Sequence, residues 1–181
     1  MKILICSDIH GDLEGCEGAL NAFKNEGADK LLLLGDILYH GPRNDLPKSY
    51  APKKVISLLN EHKGDIIAVR GNCDAEVDQM VLDFPIMQDF ATVAVDGLLL
   101  FATHGHKFNV SCPPPLQKGE IMLHGHTHIV KIEEFGDDNF CINPGSVSIP
   151  KESTPRSYII YSDRTFTAKD FDGNVIFEKT F

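Results

Sequence analysis

The sequence predicts an α/β fold in which two β-sheets pack face to face with helices on the outside. Three observations carry that expectation. Short apolar runs alternate with helical periodicity up to about residue 90, strand-like runs then follow one another through tight turns, and clusters of metal-ligand-type residues stand at strand ends. Alternating β/α units followed by a succession of strands suit layered sheets better than a helical bundle.

The elements follow in order. Lys2–Ser7 is an apolar, β-branched run of the kind that forms a buried strand. Asp12 is placed to cap a helix whose apolar positions Leu13, Cys16, Leu20 and Phe23 recur every three or four residues, closing at Gly27. Gly15 and Gly18 lie inside this helix at a cost of about 1 kcal/mol each relative to Ala, which close packing against the sheet would explain. Lys30–Leu34 is the next strand, ending at Gly35-Asp36. The excursion from Tyr39 through Pro52 is too long for a simple connector and is expected to be a functional loop or lid. A second helix is expected from Pro52 to His62 with Val55, Ile56, Leu58 and Leu59 inward, then a strand over Ile66–Val69.

Later strands are expected at Ala91–Val95, Leu98–Thr103, Ile121–Leu123, Val130–Phe135, Phe140–Ile142, Tyr158–Tyr161, Phe166–Phe171 and Val175–Phe181. Asp96-Gly97 and Asp172-Gly173 are hairpin-type turn signals. The segment from Cys112 to Pro115 is a local extended linker, and no internal repeat interrupts the chain. At 181 residues the whole length, 1–181, is expected to be one domain.

Composition narrows the function. Hydrophobic residues are 43% and charged residues 24% of the chain, an ordinary globular balance. No apolar run approaches the ~20 residues that span a bilayer, and the N-terminal strand leads straight into the first cluster without a signal-peptide pattern. A cytoplasmic protein without membrane contact is expected. The net charge of −9 disfavours long nucleic acid, whose binding depends on many Lys and Arg contacts to phosphate. A small phosphorylated substrate recruited by bound cations fits better. The five cysteines, Cys6, Cys16, Cys73, Cys112 and Cys141, are scattered and odd in number, which suits reduced thiols rather than disulfides or a zinc ribbon.

The clusters carry the chemistry. They are Asp8-Ile9-His10, Gly35-Asp36, Gly71-Asn72-Cys73-Asp74, His104-Gly105-His106 and Gly125-His126-Thr127-His128. Residues separated by one position at a strand end can chelate one ion, and ligands collect at the carboxyl edge of such sheets. Asp36 has two carboxylate oxygens with which to bridge two cations, and Asn72 offers a neutral carbonyl. Two carboxylates against two divalent ions leave a charge of about +2, which a hydroxide and a phosphodiester monoanion would neutralise. A two-metal site of this kind activates water for in-line attack on phosphorus. Imidazole and oxygen donors suit manganese, iron, zinc or nickel without choosing among them.

Taken in order, Asp-x-His, Gly-Asp, Gly-Asn-x-Asp, His and Gly-His-x-His resemble the calcineurin-like metallophosphoesterase superfamily. The resemblance covers residues 8 to about 151. The segments His40–Asn44, Arg70–Asp74 and Asn143–Lys151 further resemble its small bacterial YfcE-type phosphodiesterase branch. The resemblance implies a four-layer α/β/β/α sandwich of two mixed sheets. It implies Asp8, His10, Asp36 and His128 on one metal, and Asp36, Asn72, His104 and His126 on the other. Manganese is the usual metal of such relatives, with zinc, iron or nickel as substitutes. The implied reaction is hydrolysis of a small phosphodiester by a hydroxide bridging two metal ions.

Much of the superfamily carries His where this chain has Cys73, and that His can protonate the leaving group. The catalytic set expected here is therefore Asp36, Asn72, Cys73, Asp74, His104, His106 and Arg43, with the proton donor unassigned. His106 and His124 flank ligand histidines, and each is either a donor or a supporting side chain. Arg43, in the loop with His40, is either a phosphate clamp or a solvated charge. Asp74 is expected either to cap a short helix beginning near Ala75 or to orient a site residue, and His62 to interact with a helix C-terminus. Asn143–Ser146 is expected to form a turn against the site. Two alternatives differ in class: a non-catalytic protein-binding scaffold, as the retromer subunit Vps29 is, and a phosphomonoesterase or nuclease on the same metal core. The sequence leaves homo-oligomer formation open.

Overall fold

The computed structural model describes all 181 residues. Eleven strands and three helices follow the expected order. The first sheet contains β1 (Ile3–Cys6), β2 (Lys30–Leu33), β3 (Ile66–Ala68), β9 (Ser157–Ser162), β10 (Thr165–Asp170) and β11 (Val175–Thr180). Its order is β11-β10-β9-β1-β2-β3, with β1, β2 and β3 parallel and the others antiparallel. The second sheet contains β4 (Phe90–Val95), β5 (Leu98–Thr103), β6 (Ile121–Leu123), β7 (Val130–Phe135) and β8 (Asn139–Pro144), in the order β4-β5-β6-β8-β7. Here β5, β6 and β8 run parallel, flanked by antiparallel β4 and β7.

The two-residue period of a strand divides the core. Ile3, Ile5, Leu32 and Leu34 point from the first sheet toward Val93, Val95, Leu100, Ala102, Ile121 and Ile142 of the second. The alternate residues Leu4, Cys6, Leu31 and Leu33 face α1 (Leu13–Glu26) and α2 (Pro52–Glu61). β1 and β2 are thus buried on both faces and read as continuous apolar runs, as parallel strands do.

Helix α1 begins where Asp12 accepts a hydrogen bond from Gly15 N–H and ends at Gly27 in the left-handed conformation. A Cβ on Gly15 would strike the Val147 carbonyl, and one on Gly18 would press on the Phe171 ring. The close packing is therefore against a loop and an aromatic ring, not against the sheet face expected. Of the residues expected inward on α2, Val55 and Leu59 are buried, while Ile56 and Leu58 pack at the margin.

The outer face of the second sheet carries no helix. Chain following β5 covers it, with Phe108 edge-on to Phe90 and Phe101, and Pro115 and Leu116 lining the same surface hollow. The fourth layer is irregular because Pro113, Pro114 and Pro115 lack the N–H groups a helix needs. The long excursion is tethered rather than free: Leu13 N–H donates to the Ser49 carbonyl and Ala51 N–H to the Gly11 carbonyl.

Two hairpins differ from expectation. Asp96-Gly97 has both residues at positive φ, as a tight two-residue turn requires, but so does Asp163-Arg164, which carries no glycine. At Asp172-Gly173 only Gly173 has positive φ, and a bulge offsets β10 from β11. No helix is long and apolar enough to cross a membrane.

Because Leu32 is fully buried between the sheets, Leu32→Ala is expected to destabilise the protein by about 2–5 kcal/mol. Urea unfolding checks this; an unchanged midpoint would mean that the two sheets do not share that core.

Candidate metal centre

The parallel strands of both sheets end at one edge, and the expected ligands stand there. Asp8 and His10 follow β1, Asp36 follows β2, Asn72 follows β3, His104 follows β5, and His126 and His128 follow β6. Five of these residues, Asp8, His10, Asp36, His126 and His128, have φ between 51° and 66°. Non-glycine residues rarely adopt this left-handed region, and it is held only where surrounding contacts impose it. The strands stop because the chain must turn sharply to aim these side chains inward.

Neighbouring contacts impose the turn. Asp8 N–H donates to the Gly35 carbonyl and His10 N–H to the Asp36 carbonyl, tying the two strand ends together. The hydroxyls of Ser146 and Ser148 both donate to the Asp8 carbonyl, at 2.8 and 2.9 Å. Asn143 Nδ2 donates to the Gly125 carbonyl at 2.9 Å and to Thr127 Oγ1 at 3.0 Å. The Asn143–Ser146 turn therefore lies against the site as expected. A Cβ on Gly71 would collide with the Asp36 carboxylate, so only glycine lets β3 approach β2 here.

Of the two parts open to Asp74, the structure gives it the positioning of a site residue. It does not cap the one-turn helix α3 (Glu76–Gln79), whose cap residue is Ala75, with Asp78 accepting the Ala75 N–H. Its carboxylate instead accepts the N–H groups of Asp36, Ile37 and Gly71 at 2.7–2.8 Å. Asp74 is a positioning residue that holds Asp36 from behind.

The inward-facing atoms are crowded. Asp8 Oδ1 lies 3.2 Å from His128 Nε2 and 3.5 Å from His10 Nε2. Asp36 Oδ2 lies 3.4 Å from His104 Nε2 and 3.7 Å from His10 Nε2. His104 Nε2 is 3.1 Å from Asn72 Oδ1 and 3.2 Å from His126 Nδ1, while the Nε2 atoms of His10 and His128 are 3.3 Å apart. Meanwhile His10, His104 and His128 each direct Nδ1 at a backbone carbonyl, of Tyr39, Leu34 and Ile149 respectively. A neutral imidazole donating through Nδ1 presents a lone pair at Nε2, which is how metal-binding histidines are oriented.

Those lone pairs converge with carboxylate oxygens, and Asp8 Oδ1 is fully buried without a hydrogen-bond donor. Such a cluster of acceptors needs protons or cations among its atoms. Asp8, His10 and His128 form one group of donor atoms within 4.8 Å of one another, and Asp8, Asp36 and His104 form another. These residues fit a pair of divalent metal ions.

Without ions, the same crowding couples the protons of these groups. Burial alone would raise the Asp8 carboxyl, but His10, His128 and His104 overcome it and hold the group well below the usual carboxylate range. Burial would lower His104, yet the hydrogen bond to Asp36 and the charge of Asp8 raise it to about 9. His126, half-buried beside His104, is pushed down to about 4, first by burial and then by that neighbour's charge.

Cys73 borders the cluster, its N–H donating to Asp36 Oδ1 at 2.8 Å. Burial, then the charge of Asp36, pushes its thiol up to about 12. His106 packs 5.4 Å from the His104 ring, centroid to centroid, and bonds to none of the inward-facing groups. His124 points away from the cluster, its Nδ1 facing the Gly125 carbonyl, so the structure does not bring it to the site. His40 packs edge-on against Tyr39 and Tyr50, and His62 is the C-cap of α2.

A cleft of about 410 Å³ opens onto the cluster, lined by Asp36, Arg43, Asn44, Cys73, His126 and Lys151 among others. Arg43 therefore faces the cleft rather than bulk solvent alone. Lys151 and Ser148 had no individual role on sequence grounds; Lys151 is one charge among 17 basic residues, and only the folded return of the chain after β8 brings it here.

Known proteins are similar to this chain in sequence and fold. The family model for the calcineurin-like phosphoesterase superfamily domain matches residues 1–165. Phosphodiesterase YfcE of Escherichia coli K12 is 50% identical over 158 residues, covering 87% of this chain and 85% of that protein. The solved structure of Yfce, a phosphoesterase from E. coli, superposes with a TM-score of 0.96 at 45% identity over 99% of both chains. Vacuolar protein sorting 29 from Cryptosporidium parvum, 15% identical, shares the fold with a TM-score of 0.65, covering 99% of this chain and 98% of that one.

One consequence is a pH dependence of the metal-stripped protein. A group bound more tightly to its proton in the fold stabilises fully below its unfolded value and loses that effect as pH rises through the folded one. For His104 the window runs from the ordinary imidazole value of 6.5 to about 9; His10, also raised, acts in the same direction. The chelator-treated protein is expected to lose urea resistance across that window, and His104→Asn to flatten the loss. A rising or flat wild-type profile would contradict the proposed charge pairing.

Proposed function

This chain belongs to the calcineurin-like phosphoesterase superfamily, and from that premise we propose that it hydrolyses small phosphodiesters at a centre of two divalent metal ions. The observation that carries the reading is the convergence of two buried carboxylates and three Nε2 lone pairs on one point, with Asp8 Oδ1 unserved by any donor. Asp8, His10, Asp36 and His128 would hold one ion, and Asp36, Asn72, His104 and His126 the other. When bound, such a pair supplies Lewis acidity and a water acidic enough to attack phosphorus at neutral pH.

The chain's own residues do the rest. Asp36 offers Oδ2 inward while its Oδ1 is fixed by the Cys73 N–H. Asp74 holds the backbone beneath Asp36, so the shared carboxylate does not have to be ordered when ions bind. Arg43, Asn44 and Lys151 present donors to the oxygens of a phosphate lying in the cleft. Cys73 keeps its proton under burial and is a weak acid, so diesters whose alcohol leaves readily are the preferred class. Manganese is the metal this reading favours, because the resemblance to the superfamily implies it; the imidazole and oxygen donors accept it but suit iron, zinc and nickel as well. Free thiols at all five cysteines suit a reducing cytoplasm, and the net charge of −9 favours small substrates over long nucleic acid. The Vps29-like fold alone supports no scaffold role, since the metal-ligand set is intact.

The test is direct. Protein stripped of metal and reloaded with manganese is expected to hydrolyse an aryl phosphodiester, and Asp36→Ala to lower kcat/KM by roughly 100-fold or more while the far-ultraviolet circular dichroism is unchanged. Wild-type protein that binds manganese yet cleaves neither diesters nor monoesters would overturn the assignment; preference for monoesters would correct the substrate class.

A further inference from the structure

A second donor cluster lies on the outer face of the second sheet, on the opposite side from the shared core. Register places Glu133 of β7 directly opposite Cys141 of β8, and Cys141 opposite Met122 of β6. His124 lies two residues beyond Met122 and shares its face. Donor atoms of His124, Glu133 and Cys141 all fall within 4.8 Å of one another.

Two of the three side chains are served poorly by the protein. His124 is only 2% exposed; its Nδ1 bonds to the Gly125 carbonyl at 2.9 Å, while its buried Nε2 has no partner. Cys141 is fully buried and unpaired. Glu133 stands at the edge, where its carboxylate meets the Lys131 ammonium at 2.6 Å, and both side chains are about a third exposed, at 33% and 36%. That ion pair leaves the imidazole nitrogen and the thiol without partners, and a buried polar atom of this kind calls for an occupant.

We propose that His124, Glu133 and Cys141 bind a further divalent cation of borderline softness, zinc by donor type, clamping β6, β8 and β7 beneath the loop that carries His126 and His128. Thiolate, carboxylate and neutral imidazole are each donors that zinc accepts. The balance is simple. Cys141 releases its proton to solvent, the thiolate and carboxylate cancel the +2 charge, and Lys131 swings into water. A water reaching in beside Glu133 fills the fourth position. Burial, with Glu133 adding to it, holds the metal-free thiol up at about 12, so metal uptake here is expected to weaken as pH falls.

Cobalt distinguishes this site from the phosphoesterase centre, because a thiolate bound to cobalt gives an intense near-ultraviolet charge-transfer band. The full chain, stripped and titrated with cobalt, is expected to show that band in the wild type and in Cys73→Ser and to lose it in Cys141→Ser. Glu133→Gln, at a position about a third exposed, is expected to raise the cobalt concentration needed by roughly 10–100-fold, and added zinc to bleach the band. Absence of the band in the wild type, its persistence in Cys141→Ser, or its loss in Cys73→Ser would overturn the proposal. Should Cys141→Ser not fold, an unchanged midpoint in Glu133→Gln would do so. The readout is spectral, so it stands whether or not the protein proves to be a diesterase.

Discussion

Two carboxylates, Asp8 and Asp36, are held almost wholly out of water at the meeting edge of two sheets, 0% and 2% exposed. Like charges in so dry a place repel strongly and cannot both persist without compensation. Much of the surrounding architecture supplies it. His10, His104, His126 and His128 ring the pair, carbonyls fix three of the rings from behind, and Asp74 with three backbone N–H groups braces Asp36. Remove the cations for which this arrangement is shaped, and protons on His104 and His10 must take their place.

That constraint also explains the backbone. An ordinary strand end would send Asp8 and His10, or His126 and His128, out along the sheet. Turning each into the left-handed region brings both members of a pair inward, and the strain is carried by hydrogen bonds to Gly35, Asp36, Ser146 and Ser148. Strain held at a site by its surroundings is preorganisation. The donor atoms are already close before any ion arrives, so little order need be gained on binding.

Much of this was legible in the residues because burial on both faces forces β1 and β2 to be apolar throughout, so their ends are sharp and the clusters stand out. The Asp12 cap and the Gly27 stop of α1 were readable for the same local reasons. What was not legible depends on contacts between distant segments. Nothing near Asp74 decides between capping α3 and turning back to grip the end of β2, which is what it does. Ser148 and Lys151 acquire their places only when the chain returns after β8. The Asp163-Arg164 turn escaped notice because neither residue is the glycine or asparagine that usually marks positive φ; Arg164 holds it through bonds to the Asp96 and Phe181 carbonyls.

The central claim is that Asp36 is shared between two ions. Electron paramagnetic resonance of the manganese-loaded protein tests it most directly. Two manganese ions bridged by one carboxylate are expected to give an exchange-coupled spectrum that collapses to an uncoupled signal in Asp36→Asn. A wild-type spectrum showing only isolated manganese at two equivalents bound would contradict it.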